Sequence, residues 1–266
     1  MEWKIIKQFS EDETPCFSLE DAKKKFSNES PSYLENLLVK MVNNKKLVRL
    51  QPGLYYIVPL DQEGEYFIPN WHMIAKYIMR SKNYYIGYYS ALQIHKLITQ
   101  PSVSEIVVTD SQVKPSKIEI RGVRFQFIYH NQHRFFGYEK TWIDDFNQVN
   151  TSDLEKTLVD SFINPHHSGG MVEIAKAEYE TRGKVSKDKI IDYFTRAGSK
   201  VAARRYAFIC KVLNIDDAHH KGLLKNSLSG KILRLDTSQP DEGKINTEYE
   251  LRINRDLETI QQSIFS

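Results

Sequence analysis

The stretch Ser30–Val58, SPSYLENLLVKMVNNKKLVRLQPGLYYIV, reads as a helix followed by a β-hairpin and decides how the N-terminal part of the chain folds. Ser30 suits an N-cap, and Pro31 falls at the first helical position, where a fixed φ and a missing N–H cost nothing. Leu34, Leu37, Leu38, Met41 and Val42 recur at helical spacing and form one apolar stripe, which leaves Ser32, Tyr33, Glu35, Asn36, Lys40 and Asn43 mostly on the other side. Asn43 and Asn44 end the helix. Leu47–Leu50 and Leu54–Val58 are β-prone runs joined by Gln51-Pro52-Gly53-Leu54. Proline at the second and glycine at the third position of that turn predict type II, with Gly53 at positive φ.

Upstream, Phe17–Phe26 reads as a shorter helix capped by Ser18, with Leu19, Ala22 and Phe26 at helical spacing and Lys23, Lys24 and Lys25 placed to favour its C-terminal dipole. Met1–Ser10, with Trp3, Ile5, Ile6 and Phe9, supplies a backing helix. Helix, short turn, helix and hairpin is the order of a winged helix-turn-helix, whose second helix enters the major groove. The side chains expected to face base edges are Ser32, Tyr33, Asn36 and Lys40. Lys45, Lys46 and Arg49 are expected at the tip of the wing, with Gln51 at its turn, where a hairpin meets phosphates. The same unit also reads as a packing or protein-interaction module, and DNA binding separates the two.

The whole chain has 266 residues, 41% apolar and 27% charged, with a formal net charge of +3. This length holds one large domain or a small and a medium one. Pro59–Pro69, PLDQEGEYFIP, is polar and acidic, so the expected division is a winged helix-turn-helix over 1–60, a linker over 61–69 and a larger mixed domain over 70–266. The mild net charge does not by itself announce a nucleic-acid binder. Its distribution is uneven: Arg182–Lys211 carries nine Lys and Arg against two Asp, while Glu11, Asp12 and Glu13 form a short acidic run. Within the basic stretch Lys187, Lys189, Arg196, Lys200, Arg204 and Arg205 are too numerous for a buried role and are expected to form a basic partner surface. Two distant cysteines, Cys16 and Cys210, and no apolar leader suggest a reducing, cytoplasmic setting. No run has the length of a membrane span.

In the second domain Asn70 caps a helix with the stripe Trp71, Ile74, Ala75, Ile78 and Met79. Tyr84–Gln100, YYIGYYSALQIHKLITQ, gives a short strand, a turn at Gly87 and a helix over Tyr88–Leu97 that buries Ala91, Leu92 and His95. Tyr84, Tyr85, Tyr88 and Tyr89 read as core and rim, or as a stacking platform for single-stranded nucleic acid. Glu105–Asp110, Ile118–Ile120, Val123–Tyr129 and Tyr138–Ile143 are strands, with Arg121-Gly122 as a tight turn. His130 and His133 read as loop histidines, since no cysteine or carboxylate stands at ligand spacing. Ser152 and Glu155 form a capping box for a helix ended by Pro165, in which Leu154, Leu158, Val159 and Phe162 are the buried stripe and Asp153 and Asp160 face solvent. Helices follow over Met171–Thr181, Ser186–Ala197, Lys200–Leu213 and Asp216–Asn226. Two late strands, Lys231–Leu235 and Tyr249–Ile253, are expected to return to the sheet before a closing helix over Asp256–Ile264. The fold class is thus mixed α/β (α+β), with a helical C-terminal block.

Three stretches together resemble the AbiEi-type antitoxins of type IV toxin–antitoxin, or abortive-infection, systems. VRLQPGLYYI resembles the end of that family's winged helix. YIGYYSALQIHKLITQP resembles its tyrosine, small-residue, Ser-Ala-Leu and histidine segment, and DLEKTLVDSFINPHHSGG resembles its Glu-Lys-Thr-Leu-hydrophobic-Asp helix. The resemblance covers nearly the full length. It implies a protein without enzymatic activity that represses its own promoter, at inverted repeats, and counters a nucleotidyltransferase-like toxin through the C-terminal domain. No catalytic, cofactor-binding or metal-ligating residues are expected. The competing readings are a ligand-sensing winged-helix regulator and a nucleic-acid-processing enzyme with a DNA-binding appendage. For the enzyme, the grouped carboxylates are Glu105 with Asp110, Asp144 with Asp145, and Asp153 with Asp160.

Overall fold

In the computed structural model, residues 1–11, 15–98, 100, 102, 104–145, 147–215 and 218–264 are described. Asp12 and Glu13 of the acidic run, and the expected helix start at Asp216, lie outside them. The N-terminal unit is built from α1 (Glu2–Glu11), β1 (Cys16–Ser18), α2 (Leu19–Lys25), α3 (Pro31–Asn43), β2 (Leu47–Gln51) and β3 (Leu54–Ile57), with the antiparallel sheet ordered β1-β3-β2. This is a winged helix-turn-helix. Ser18 and Asp21 close a capping box at the start of α2: the Asp21 N–H donates to Ser18 Oγ at 3.0 Å and the Ser18 N–H to Asp21 Oδ2 at 2.8 Å. Phe17, expected in the helix, is instead paired in β1 with Tyr55. Ser30 caps α3 as expected, accepting from the Tyr33 N–H. Gly53 has φ +74°, the conformation the type II turn requires.

Strand alternation explains how this small sheet is used. Leu47, Tyr55 and Ile57 point into the helices and pack with Ile5, Phe9 and Leu38, while Val48, Leu50, Leu54 and Tyr56 point the other way. That second face is covered by α4 (Trp71–Ile78), through Met73 and Ile74, in one apolar cluster with strands of the main sheet. Residues 58–70 form neither helix nor strand, and Gly64 presses so closely on the backbone carbonyl of Lys45 that a Cβ there would sit 2.1 Å from it.

The main sheet has six strands in the order β6-β7-β5-β4-β9-β8. They are β4 (Tyr84–Ile86), β5 (Ser104–Thr109), β6 (Lys117–Ile120), β7 (Val123–Tyr129), β8 (Tyr138–Trp142) and β9 (Gln148–Ser152). The β5–β7 and β4–β9 pairs are parallel, the rest antiparallel. β9 has no counterpart in the sequence reading, because QVNTS carries one apolar residue. α5 (Tyr88–Ile94) ends earlier than expected, capped by His95.

The helical block is centred on α6 (Leu154–Ile163), whose residues Glu155 to Phe162 are all buried. Around it stand α7 (Met171–Thr181), α8 (Lys187–Ala197) and α9 (Lys200–Val212), followed by α10 (Ala218–Ser227). The late strands do not rejoin the main sheet. β10 (Leu233–Arg234), β11 (Lys244–Asn246) and β12 (Leu251–Ile253) form their own three-stranded sheet, ordered β10-β12-β11, before α11 (Leu257–Ser263). Among the described residues no helix is long and apolar enough to cross a membrane.

Candidate nucleic-acid interface

The outward face of α3 follows directly from its apolar stripe. With Leu34, Leu37, Leu38 and Met41 turned into the core, Ser32, Tyr33, Asn36 and Lys40 are all exposed, as is Val39 between them. The face therefore offers a hydroxyl, a phenol, an amide and an ammonium along two turns, a set able to meet base edges and phosphates. Glu35, on the flank, is held by Lys23 at 3.0 Å.

The basic residues of the wing are placed differently from the expectation. Lys45 and Lys46 lie at the base of the hairpin, where Lys45 adopts φ +59° to turn α3 into β2, and the tip carries Pro52 and Gly53 instead. The tip is not free: the Leu19 N–H donates to the Gly53 carbonyl at 2.8 Å, which pins it under the start of α2. Exposed Arg49 and Gln51 stand on edge strand β2. Glu2, from α1, takes two of the cations, accepting from Lys46 Nζ at 2.7 Å and standing 3.6 Å from Lys40 Nζ. The hydrogen bond from Lys46 holds the Glu2 carboxyl below its ordinary range. Among the described residues no carboxylate pairs with Lys45 or Arg49. Glu2 was not foreseen as part of this surface, since only the packing of α1 beside the α3–β2 connection brings it there.

The proposed basic partner surface is largely dissolved by the structure. Arg204 and Arg205 are buried, because a guanidinium can satisfy several carbonyls at once and α9 uses both to fasten its neighbours. Arg204 binds the Lys231 carbonyl at 2.9 Å and Glu250 at 2.7 Å. Arg205 donates to the carbonyls of Phe162 at 3.0 Å and Ile163 at 3.2 Å, two of the orphan acceptors at the C-terminus of α6, and to the Arg234 carbonyl at 2.9 Å. Burial lowers the Arg205 guanidinium to about 10. Lys189 is half-buried and bridges Asp153 and Glu155 at 3.2 and 2.9 Å. Lys187, Arg196 and Lys200 are exposed, and Arg196 lies 3.9 Å over the Phe136 ring.

A second constellation, unread in the sequence, joins two of the three stretches that carry the family resemblance. Tyr85 of β4, Tyr88 of α5, His130 beyond β7, and Lys156 and Asp160 of α6 meet in one buried network. Tyr85 Oη donates to Asp160 Oδ2 at 3.0 Å and stands 3.0 Å from His130 Nδ1, while Tyr88 Oη stands 2.9 Å from His130 Nε2. Arg134 reaches Nε2 at 3.2 Å, and Asn164 donates to Tyr88 Oη at 3.3 Å. One tautomer gives every bond a donor and an acceptor: Nδ1–H donates to Tyr85, and Nε2 accepts from Tyr88 and Arg134. Burial lowers His130 to about 4, so it is neutral here. Lys156 Nζ, itself lowered by burial, pairs with Asp160 and donates to Tyr85 Oη at 3.2 Å. His130 thus lies outside the strands as expected, but it is buried and bonded rather than free, and Asp160 faces the core rather than solvent. The expected capping box is also replaced: Asp153 caps α6, Ser152 bonds Thr157, and Glu155 accepts from the Ser186 N–H and Lys189. The apolar pattern concealed all this because α6 is buried on every side.

The other grouped carboxylates are occupied separately. Glu105 accepts from His72 at 2.8 Å, Asp110 from Asn83 at 2.7 Å and Asp144 from Asn147 at 2.9 Å. Among the described residues no group of three or more His, Cys, Asp and Glu side chains is arranged to hold a metal ion.

No protein-family model matches the chain, and no curated protein matches it. Among solved structures the chain is similar to the RV2827C protein from Mycobacterium tuberculosis, with a TM-score of 0.68 and 14% identity over 98% of this chain and 94% of that one. At that identity the likeness is one of fold, and it extends over both units.

Proposed function

We infer that the chain is a DNA-binding antitoxin of the type IV kind, which represses its own promoter through the winged helix and counters a nucleotidyltransferase-like toxin through the second unit. The observation that carries the DNA-binding part is the face of α3, where Ser32, Tyr33, Asn36 and Lys40 are exposed together on a capped helix with a backing core. Lys45 and Arg49, beside the same helix, supply phosphate contacts. The antitoxin part rests on the motif resemblance. What supports it is that the tyrosine segment and the Glu-Lys-Thr-Leu-Val-Asp helix, distant in sequence, meet in one network through Tyr85, Tyr88, Lys156 and Asp160. A shared buried network gives those residue types a physical reason to occur together.

The test has two arms. Fluorescence anisotropy with a duplex from the region upstream of the gene is expected to show binding that weakens steeply with salt, with a slope of about −0.9 per neutralised phosphate. Asn36→Ala is expected to change the preference at one base pair, and Lys45→Ala with Arg49→Ala to weaken all sequences alike. In the second arm, co-expression with the product of the neighbouring reading frame is expected to restore growth. Equal anisotropy for wild type and the Lys45, Arg49 double variant would remove the interface proposed here, and absence of rescue would remove the antitoxin role.

A further inference from the structure

Between the winged helix and the second unit lies a cleft of about 750 Å³. One wall is the end of α2, with Lys24 and Lys25. A second wall, joined to the first through Asp21, is a single face of α4, Met73, Lys76 and Tyr77 at helical spacing, continued by Arg80 and Lys82. The floor is the α4-facing side of the main sheet, with Tyr84 of β4 and Val149 of β9, whereas Lys140 of β8, in register with Asn150, belongs to the other face. Five cations, Lys24, Lys25, Lys76, Arg80 and Lys82, thus line one concavity, and the one carboxylate among the lining residues, Asp21, is already engaged by Arg80 at 2.7 Å and the Tyr77 hydroxyl at 2.6 Å. Among the described residues no carboxylate pairs with Lys24, Lys76 or Lys82.

Lysines on a convex surface are simply solvated. Here Lys24, Lys76 and Lys82, none of them paired with a carboxylate, line a hollow together with Phe17, Met73, Tyr84 and Val149, all buried. A multivalent anion neutralises several such lysines at once, and the apolar floor takes a flat, poorly hydrated group. The volume falls within the roughly 300 to 1,000 Å³ typical of small-ligand sites.

We propose that this cleft is a binding site for a nucleoside polyphosphate, with the phosphates on the lysines and the base against the apolar floor. Because the walls belong to both units, the bound nucleotide braces the winged helix against α4. The site does not depend on the DNA-binding reading.

The experiment uses the full chain, with ATP, GTP, inorganic triphosphate and a five-nucleotide single strand as separate probes, by calorimetry and by thermal melting at 0.1 M salt. A nucleoside triphosphate is expected to bind at least tenfold more tightly than inorganic triphosphate, to raise the melting temperature, and to slow amide exchange in α2 and α4 together. Lys24→Glu with Lys76→Glu is expected to weaken nucleotide binding at least tenfold. Lys82→Glu, outside any helix or strand, is expected to weaken it severalfold with the ligand-free melting temperature unchanged. The proposal is overturned if neither nucleotide binds, if inorganic triphosphate binds as tightly as the nucleotides, if only the oligonucleotide binds, or if Lys82→Glu binds nucleotide as the wild type does.

Discussion

The hydroxyl of Tyr77, on α4, donates a 2.6 Å hydrogen bond to Asp21, the residue that closes the capping box of α2. One carboxylate therefore both starts a helix of the winged unit and fastens that unit to the next, with Arg80 as its third partner at 2.7 Å. Burial pushes the Asp21 carboxyl up, but Arg80, Tyr77 and Ser18 outweigh it and hold it well below the usual carboxylate range. A carboxyl with a depressed folded-state value contributes stability that is present above the unfolded value and is lost as pH falls through the folded one. Asp21→Ala is expected to cost about 2 to 4 kcal/mol, a lost cap plus lost charge-assisted bonds, and to remove part of the acid-induced destabilisation. Tyr77→Phe is expected to cost about 1 kcal/mol, and much less when Asp21 is already alanine. Urea denaturation of the four proteins of that cycle measures both. Additive losses would show that the two side chains act independently.

Glu178 on α7 offers a pH dependence of opposite sign. It is fully buried near Tyr206 and Cys210, and among the described residues its Oε2 has no hydrogen-bond partner. Burial raises its carboxyl from 4.5 to about 7. A raised carboxyl favours the protonated form in the folded state, so the fold is penalised as pH rises from the unfolded value towards 7, and the penalty levels off above it. From a shift of this size the loss is roughly 3 kcal/mol, fully developed by about pH 8. Glu178→Gln is expected to be the more stable protein at pH 8 and to lose the slope between pH 5 and 7. Parallel stability profiles for the two proteins would rule this out.

The sequence discloses elements where side-chain chemistry and location agree. Ser30, Pro31 and the leucine stripe mark α3, and Pro52-Gly53 marks the turn, because caps, fixed φ and positive φ act locally. It conceals elements whose environment is supplied by distant partners. QVNTS becomes β9 only because β4 and β8 stand on either side of it, and Thr151 and Ser152 are buried there despite their polarity. Arg204 and Arg205 look like surface charge until the carbonyls at the end of α6 and in the small sheet are seen to need donors. His130 was legible only as a residue following a strand. Its two tyrosines lie 42 and 45 positions away, and a long-range hydrogen bond leaves no periodicity.

The pair Lys156 and Asp160 puts a full charge of each sign where neither side chain reaches solvent. Removing Lys156 leaves the buried Asp160 with only Arg134, 3.8 Å away, as a counter-charge, whereas removing both charges of the pair spares that penalty. Lys156→Met is expected to cost about 3 to 5 kcal/mol. Adding Asp160→Asn keeps an acceptor for the Tyr85 hydroxyl and is expected to recover more than half of the loss. Chemical denaturation of the single and double variants decides the matter, and a double variant less stable than Lys156→Met would assign the cost to packing rather than to charge.

On the proposed DNA-binding reading, Glu2 would compete with DNA for the same two ammonium groups. Its carboxylate accepts from Lys46 at 2.7 Å and lies 3.6 Å from Lys40, and both lysines belong to the surface proposed to meet phosphates. In the free protein each such lysine must leave an anion before it can neutralise another, and the counterion release that drives binding is correspondingly smaller. Glu2→Gln keeps the size of the side chain and removes its charge. Promoter affinity is therefore expected to rise several-fold at low salt, and the slope of log K against log salt to steepen by about 0.9 for each phosphate newly neutralised. The gain is expected to vanish in a Lys40→Ala, Lys46→Ala background, which separates release of these two lysines from a general change in protein charge. Anisotropy titrations at several salt concentrations measure affinity and slope together. A Glu2→Gln protein with unchanged affinity and unchanged slope would place Lys40 and Lys46 outside the DNA contact, and would leave Lys45, Arg49 and the polar face of α3 to account for binding alone.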